Sequence, residues 1–108
     1  MSCQVVRWTR TAGCAVAHVA GDLDLATAVP TFAAIAEGWL GDQLVIDLTE
    51  VDFMDSTALG QLTTISGDKV VRLVAPGDNE PRRVLEITHL TARFPTFVTV
   101  EDALAARP

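Results

Sequence analysis

Ser56 and Thr57 stand side by side behind Asp55 in the stretch LTEVDFMDSTALG, where an apolar run passes through two carboxylates and the chain turns helical. Asp, Ser and Thr are all good helix N-caps, so any of the three can satisfy the orphan N–H groups of the first turn. A hydroxyl at that position can also accept a phosphoryl group, because the helix dipole and the unpaired N–H groups favour the added negative charge. The surrounding charges decide what such a group would do. No lysine or arginine occurs between Arg10 and Lys69, while Asp22, Asp24, Glu37, Asp42, Asp47, Glu50, Asp52, Asp55 and Asp68 all fall in that window. With no arginine cluster nearby in sequence, a phosphate would not be captured; it would deepen a negative surface by about −1.5 to −2 charges. That is the chemistry of a switch acting on a partner rather than on the fold.

Other reactive side chains offer less. Asp22 and Asp24 in GDLD, taken with Asp55, are carboxylates of the type a metal ion or an acid–base pair needs. Two acids two residues apart also suit a loop entering a helix, and no further ligands are spaced for Mg²⁺ or Zn²⁺, so no metal is expected. His18 and His89 lack a nucleophile and an orienting acid in a recognisable motif, and the chain reads as a non-enzyme. Neither a G-x-x-x-x-G-K nor a G-x-G-x-x-G loop is present, and no cofactor is expected. A turn near TRTAG would pair Cys14 with about residue 9 and leave Cys3 well away, which argues against a disulfide. Trp8 and Trp39 read as core or hairpin packing.

The elements that must position these residues follow from periodicity. At 108 residues the chain fits one domain, 1–108, with a hydrophobic content of 49% that supports a real core. CQVVRWT and CAVAHVAG are β-rich runs around a turn at Thr11 to Gly13, an antiparallel hairpin. Over 26–40 the spacing of Val29, Phe32, Ala33, Ala36, Trp39 and Leu40 predicts an amphipathic helix, with Pro30 tolerated in its first turn. QLVIDL (43–48) is almost wholly apolar and should be a central strand buried on both faces. A short helix over 57–65 turns Leu59, Leu62 and Ile65 inward and stops at Ser66-Gly67-Asp68. KVVRLVA is another strand, Val84, Ile87 and Leu90 mark a third helix behind Pro81, and TFVTV and EDALAA close the chain. The order β β α β α β α β α predicts an α/β domain with a mostly parallel sheet and an N-terminal antiparallel hairpin strand.

Fourteen acidic against eight basic residues, a formal charge of −6, disfavour nucleic acid or an anionic membrane and favour a basic or neutral protein partner. No apolar stretch approaches the roughly 20 residues of a spanning helix, and MSCQVVRWTR has no signal-peptide core, so a cytoplasmic location is expected.

At DLTEVDFMDSTALG the chain resembles the STAS domain family, in particular the bacterial anti-sigma factor antagonists. The pattern D-S-[ST]-[GA]-L-G is matched by Asp55, Ser56, Thr57, Ala58, Leu59 and Gly60, and the G-[ED]-L-D loop by Gly21, Asp22, Leu23 and Asp24. The similar element order extends over almost the whole chain. The resemblance implies a regulator whose unphosphorylated form binds an anti-sigma factor, usually a GHKL-type Ser/Thr kinase, and frees the sigma factor. It implies Ser56, ahead of Thr57, as the phosphoacceptor and a PP2C-type phosphatase that reverses the modification. It also puts the partner-binding surface on residues 22–24 and 55–60. Ala58 stands where the family more often has glycine, and the second helix ends early. The competing reading is a STAS scaffold, such as an accessory subunit of a lipid-transport ATPase or of a stressosome-like complex, in which Ser56 is only a helix cap.

Overall fold

A computed structural model describes residues 4–11, 13–40 and 43–106. The hairpin is formed by β1 (Gln4–Thr11) and β2 (Cys14–Leu23), which pair antiparallel. Gly13 closes the turn at φ 77°, a left-handed conformation that costs glycine little. The turn is tighter than the sequence suggested: Cys14 faces Thr11, not residue 9. Cys14 is a free, buried thiol, and Cys3 lies outside the described residues.

From there strand and helix alternate: α1 (Ala28–Gly38), β3 (Gln43–Met54), α2 (Ser56–Ser66), β4 (Val71–Val74), α3 (Glu80–Ile87), β5 (Thr96–Phe97) and α4 (Val100–Ala105). The five strands lie in sequence order, β1-β2-β3-β4-β5, with β2 to β5 parallel. Because each crossover steps the same way across the sheet, right-handed connections bring successive helices to one face. The burial follows. Phe32 and Ile35 of α1, Leu59 and Leu62 of α2 and Leu85 of α3 share one core with Val19, Ile46 and Leu73. Alternate strand residues point the other way, where Ala103 of α4 packs with Cys14, Val16, Val45 and Val74. Among the described residues no helix is long and apolar enough to cross a membrane.

Three expectations change. Helix α1 buries Ala28, Thr31, Phe32 and Ile35, whereas Val29, Ala33, Ala36 and Leu40 are exposed and Trp39 is partly buried. Phe32 belongs to both possible stripes, and a threonine within the correct one made the alanine-rich stripe look more apolar. Strand β3 runs on to Met54 instead of stopping at Leu48, with register shifts against β2 accommodating the polar residues after Leu48. In α3 Leu85 is the inward residue and Ile87 is exposed, because the helix ends at Ile87 and Leu90 packs against the core from the turn beyond it.

The segregated arginines have a structural use. None of α1, α2 or α4 has a basic residue in its last turn. An arginine from elsewhere reaches each C-terminal end. Arg10 donates to Gly38 O at 2.6 Å, Arg93 to Gly67 O at 2.6 Å and to Ser66 Oγ at 2.9 Å, and Arg72 to Ala103 O. Cations there satisfy orphan carbonyls and oppose the negative end of the helix dipole. Trp8 lies so close to Gly38 that an added Cβ would come within 2.3 Å of its ring, fixing how β1 meets the end of α1.

Candidate functional site

The two motifs, far apart in sequence, leave the sheet side by side. In the parallel β2–β3 ladder Asp22 faces Phe53 and Leu23 faces Met54, so both chains exit at the same end. The Asp55 N–H donates to Leu23 O at 3.2 Å and stitches the two exits together. Residues 24–27 and the start of α2 therefore form one surface, as neighbouring strands lie about 4.8 Å apart.

Asp55 is the N-cap of α2: its Oδ1 accepts from Thr57 N at 2.9 Å and from Ala58 N at 3.3 Å. Ser56 is therefore the first helical residue and not the cap. It is exposed, and its hydroxyl makes no hydrogen bond among the described residues. Thr57 is half-buried. Replacing Ser56 by alanine should leave stability within about 0.5 kcal/mol, whereas Asp55→Ala should lose about 1–2 kcal/mol. Urea denaturation of the two variants separates them, and an equal loss in both would contradict this assignment of the cap.

The Asp24 carboxylate holds the turn that leads into α1, which has no side-chain cap of its own. Its Oδ1 accepts from Ala26 N at 2.9 Å and Thr27 N at 3.1 Å, while Thr27 Oγ1 donates to Asp22 O at 2.5 Å and accepts from Asp24 N at 3.0 Å. Gly21, at φ 107°, precedes this turn. The carboxylate of Asp24 is thus occupied by local donors. Among the described residues no three His, Cys, Asp or Glu side chains come together in a way that could hold a metal ion.

Part of the expected partner surface lies inside. Leu23, Ala58 and Leu59 are buried in the main core, so they support the surface from beneath and cannot meet a partner directly. The Ala58 methyl points into that core and not beside the Ser56 hydroxyl. Gly60 is exposed, one turn along α2 from Ser56.

Three apolar side chains are exposed here instead: Leu25 at 78% and Phe53 at 44%, which the sequence did not single out, and Val29 at 52%, expected on the buried stripe of α1. Leu25 follows Leu23 by two residues just as Ser56 follows Met54, so the two occupy equivalent places after paired strands. The available signal was an apolar residue inside the polar turn DLDLAT and a second apolar residue in VDFM beyond the ones a half-buried strand encloses. His18, read as a residue without catalytic company, contacts Thr9 and Asp47. His89 lies in the turn after α3 at φ 61° and is exposed.

A family model described as the STAS domain matches residues 6–103. The chain belongs to the STAS domain family. Among curated STAS relatives, the anti-sigma-F factor antagonist RsfB of Mycobacterium tuberculosis is 35% identical over 97 residues, spanning 85% of this chain and 80% of the relative. The crystal structure of an anti-sigma factor antagonist from Mycobacterium paratuberculosis superposes with a TM-score of 0.82 at 29% identity, covering 97% of this STAS domain protein and 93% of that one. A Thermotoga maritima protein shares the fold at 19% identity, with a TM-score of 0.79 and coverage of 92% and 91%.

Proposed function

We propose that the protein is an anti-sigma factor antagonist. Its unphosphorylated form binds an anti-sigma factor of the GHKL Ser/Thr kinase type and so releases the sigma factor. Phosphorylation at Ser56 ends the interaction, and a PP2C-type phosphatase restores it. The observation that carries this reading is exposed Ser56 in the first turn of α2, behind the capping Asp55, at the end of the sheet where exposed Leu25 and Phe53 also lie and within the window of chain, 11–68, that has carboxylates and no lysine or arginine. The similarity to the mycobacterial antagonists supports the partner class.

The arrangement suits a reversible switch. With Asp55 holding the orphan N–H groups, Ser56 Oγ can gain a phosphoryl group without loss of a structural hydrogen bond. The fold tolerates the new charge at the helix N-terminus. The interface does not, because a dianion there adds to a window of chain, 11–68, that holds no lysine or arginine, and it would have to lose water on binding. In this role the protein acts by binding.

Affinity capture from the native lysate, with wild type and Ser56→Asp as paired baits, tests the reading. A GHKL-type kinase held by wild type and lost by Ser56→Asp, together with a Ser56 phosphopeptide from cells, is expected. Equal capture of another protein by both baits would place the chain among STAS scaffolds.

A further inference from the structure

Thr9, His18 and Asp47 lie on three adjacent strands, β1, β2 and β3, and form a continuous relay. Thr9 Oγ1 is 2.8 Å from His18 Nε2, and His18 Nδ1 is 2.7 Å from Asp47 Oδ2. A carboxylate only accepts hydrogen bonds, so Nδ1 carries the proton; in the neutral ring Nε2 is then an acceptor, to which the Thr9 hydroxyl donates. The other carboxylate oxygen of Asp47 accepts from the Thr49 hydroxyl at 2.5 Å and the Thr49 N–H at 3.0 Å, which fixes its orientation. His18 is 7% exposed, whereas Thr9 is on the surface. A shielded, oriented imidazole thus holds the hydroxyl of a surface residue, the nucleophile–base–acid order of acyl transfer.

The register adds a cation. Arg7 faces His18 across the ladder and stands two residues from Thr9, so both project from the same face of β1. An exposed guanidinium there can stabilise an oxyanion. Strand β1 is also the edge of the sheet, pairing with β2 alone, which leaves alternate main-chain N–H donors of the strand unpaired.

We propose that Thr9 is an activated hydroxyl that accepts an acyl group from an activated donor such as a thioester, with His18 as general base and Asp47 as the residue that positions it. Thr9 Oγ1 attacks the donor carbonyl carbon and its proton passes to His18 Nε2. The carbon–sulfur bond then breaks, and the thiolate leaves with that proton, so that a threonine ester and a free thiol are formed and the imidazole is regenerated. The modification is stoichiometric and uses no residue of the Ser56 surface, so it stands independently of the anti-sigma reading.

The test treats the purified full chain with p-nitrophenyl acetate and follows acetylation by intact mass and peptide fragmentation, scoring Thr9 against Lys69 in the same spectra. Wild type and Ser56→Ala should carry one acetyl group at Thr9. Thr9→Ser should retain it and Thr9→Val should lack it, and neither change threatens the fold because the residue is exposed. His18→Gln should slow labelling at Thr9 about 100-fold. Asp47→Asn should also slow it, since an amide can turn the imidazole to the tautomer whose Nε2 cannot take a proton. Melting curves identify any variant unfolded at the assay temperature. No acetylation of Thr9 in wild type, or an undiminished rate in a folded His18→Gln, would overturn the proposal and leave the three residues as a polar tie between strands.

Discussion

Ser56→Asp is expected to weaken binding to the anti-sigma factor about 100-fold, close to 2.7 kcal/mol, while Ser56→Ala binds like wild type. The size follows from where the charge goes. Asp55 already satisfies the N–H groups of Thr57 and Ala58, so a carboxylate at position 56 replaces no structural hydrogen bond and the helix forms as before. The dipole even favours it by a few tenths of a kcal/mol. In the complex the same carboxylate lies at the end of the sheet where the exposed side chains of Leu25 and Phe53 must also be desolvated on docking, next in the chain to Asp55. A buried charge without a partner costs several kcal/mol, far more than the dipole returns, so the interface loses while the fold does not. Calorimetric titration of the three proteins against the captured kinase measures the effect, with matching thermal melts as the control. Tight binding by a folded Ser56→Asp would mean that Ser56 lies outside the interface.

The largest loss of stability is expected at Arg72. Its side chain is 3% exposed and donates to Ala103 O at the end of α4, to Gln43 Oε1 at 2.6 Å and to Cys14 Sγ at 3.6 Å. Two effects oppose one another in Arg72→Leu. Removing the guanidinium recovers the cost of burying a charge. It also strands the Ala103 carbonyl inside, at about 1–3 kcal/mol, loses the bond to the exposed Gln43, and leaves a space that leucine is too short to fill. The guanidinium already has three acceptors and the negative end of a helix dipole around it, so its burial is largely offset, and the stranded Ala103 carbonyl together with the unfilled space dominates. A net loss of about 2–4 kcal/mol follows, and for a domain of this size the Tm falls by about 10 °C or more. Arg72→Lys should lie between, because one ammonium cannot reproduce the planar fork that spans Ala103 and Gln43. An unchanged Tm in Arg72→Leu would show that α4 and the ends of β2 and β3 hold together without it.

These two sites differ in how they could be known. Local signals were enough for the order of elements, the central place of residues 43–48 and the helix start behind Asp55, because hydrophobic period, turn residues and capping chemistry act within a few residues. The charge window was equally plain, since it is a property of the chain. Which of Asp55, Ser56 and Thr57 caps α2 required the backbone geometry of the turn. Which stripe of α1 is buried required the sheet it packs on, as Phe32 fits both stripes. The functions of Arg10, Arg72 and Arg93 as helix caps, the juxtaposition of Leu25 and Phe53 with Ser56, and the Thr9–His18–Asp47 relay all depend on strand register and crossover direction. Register is set by the summed burial of whole strands, so no window of sequence contains it, and contacts between residues tens of positions apart are decided only when the sheet closes.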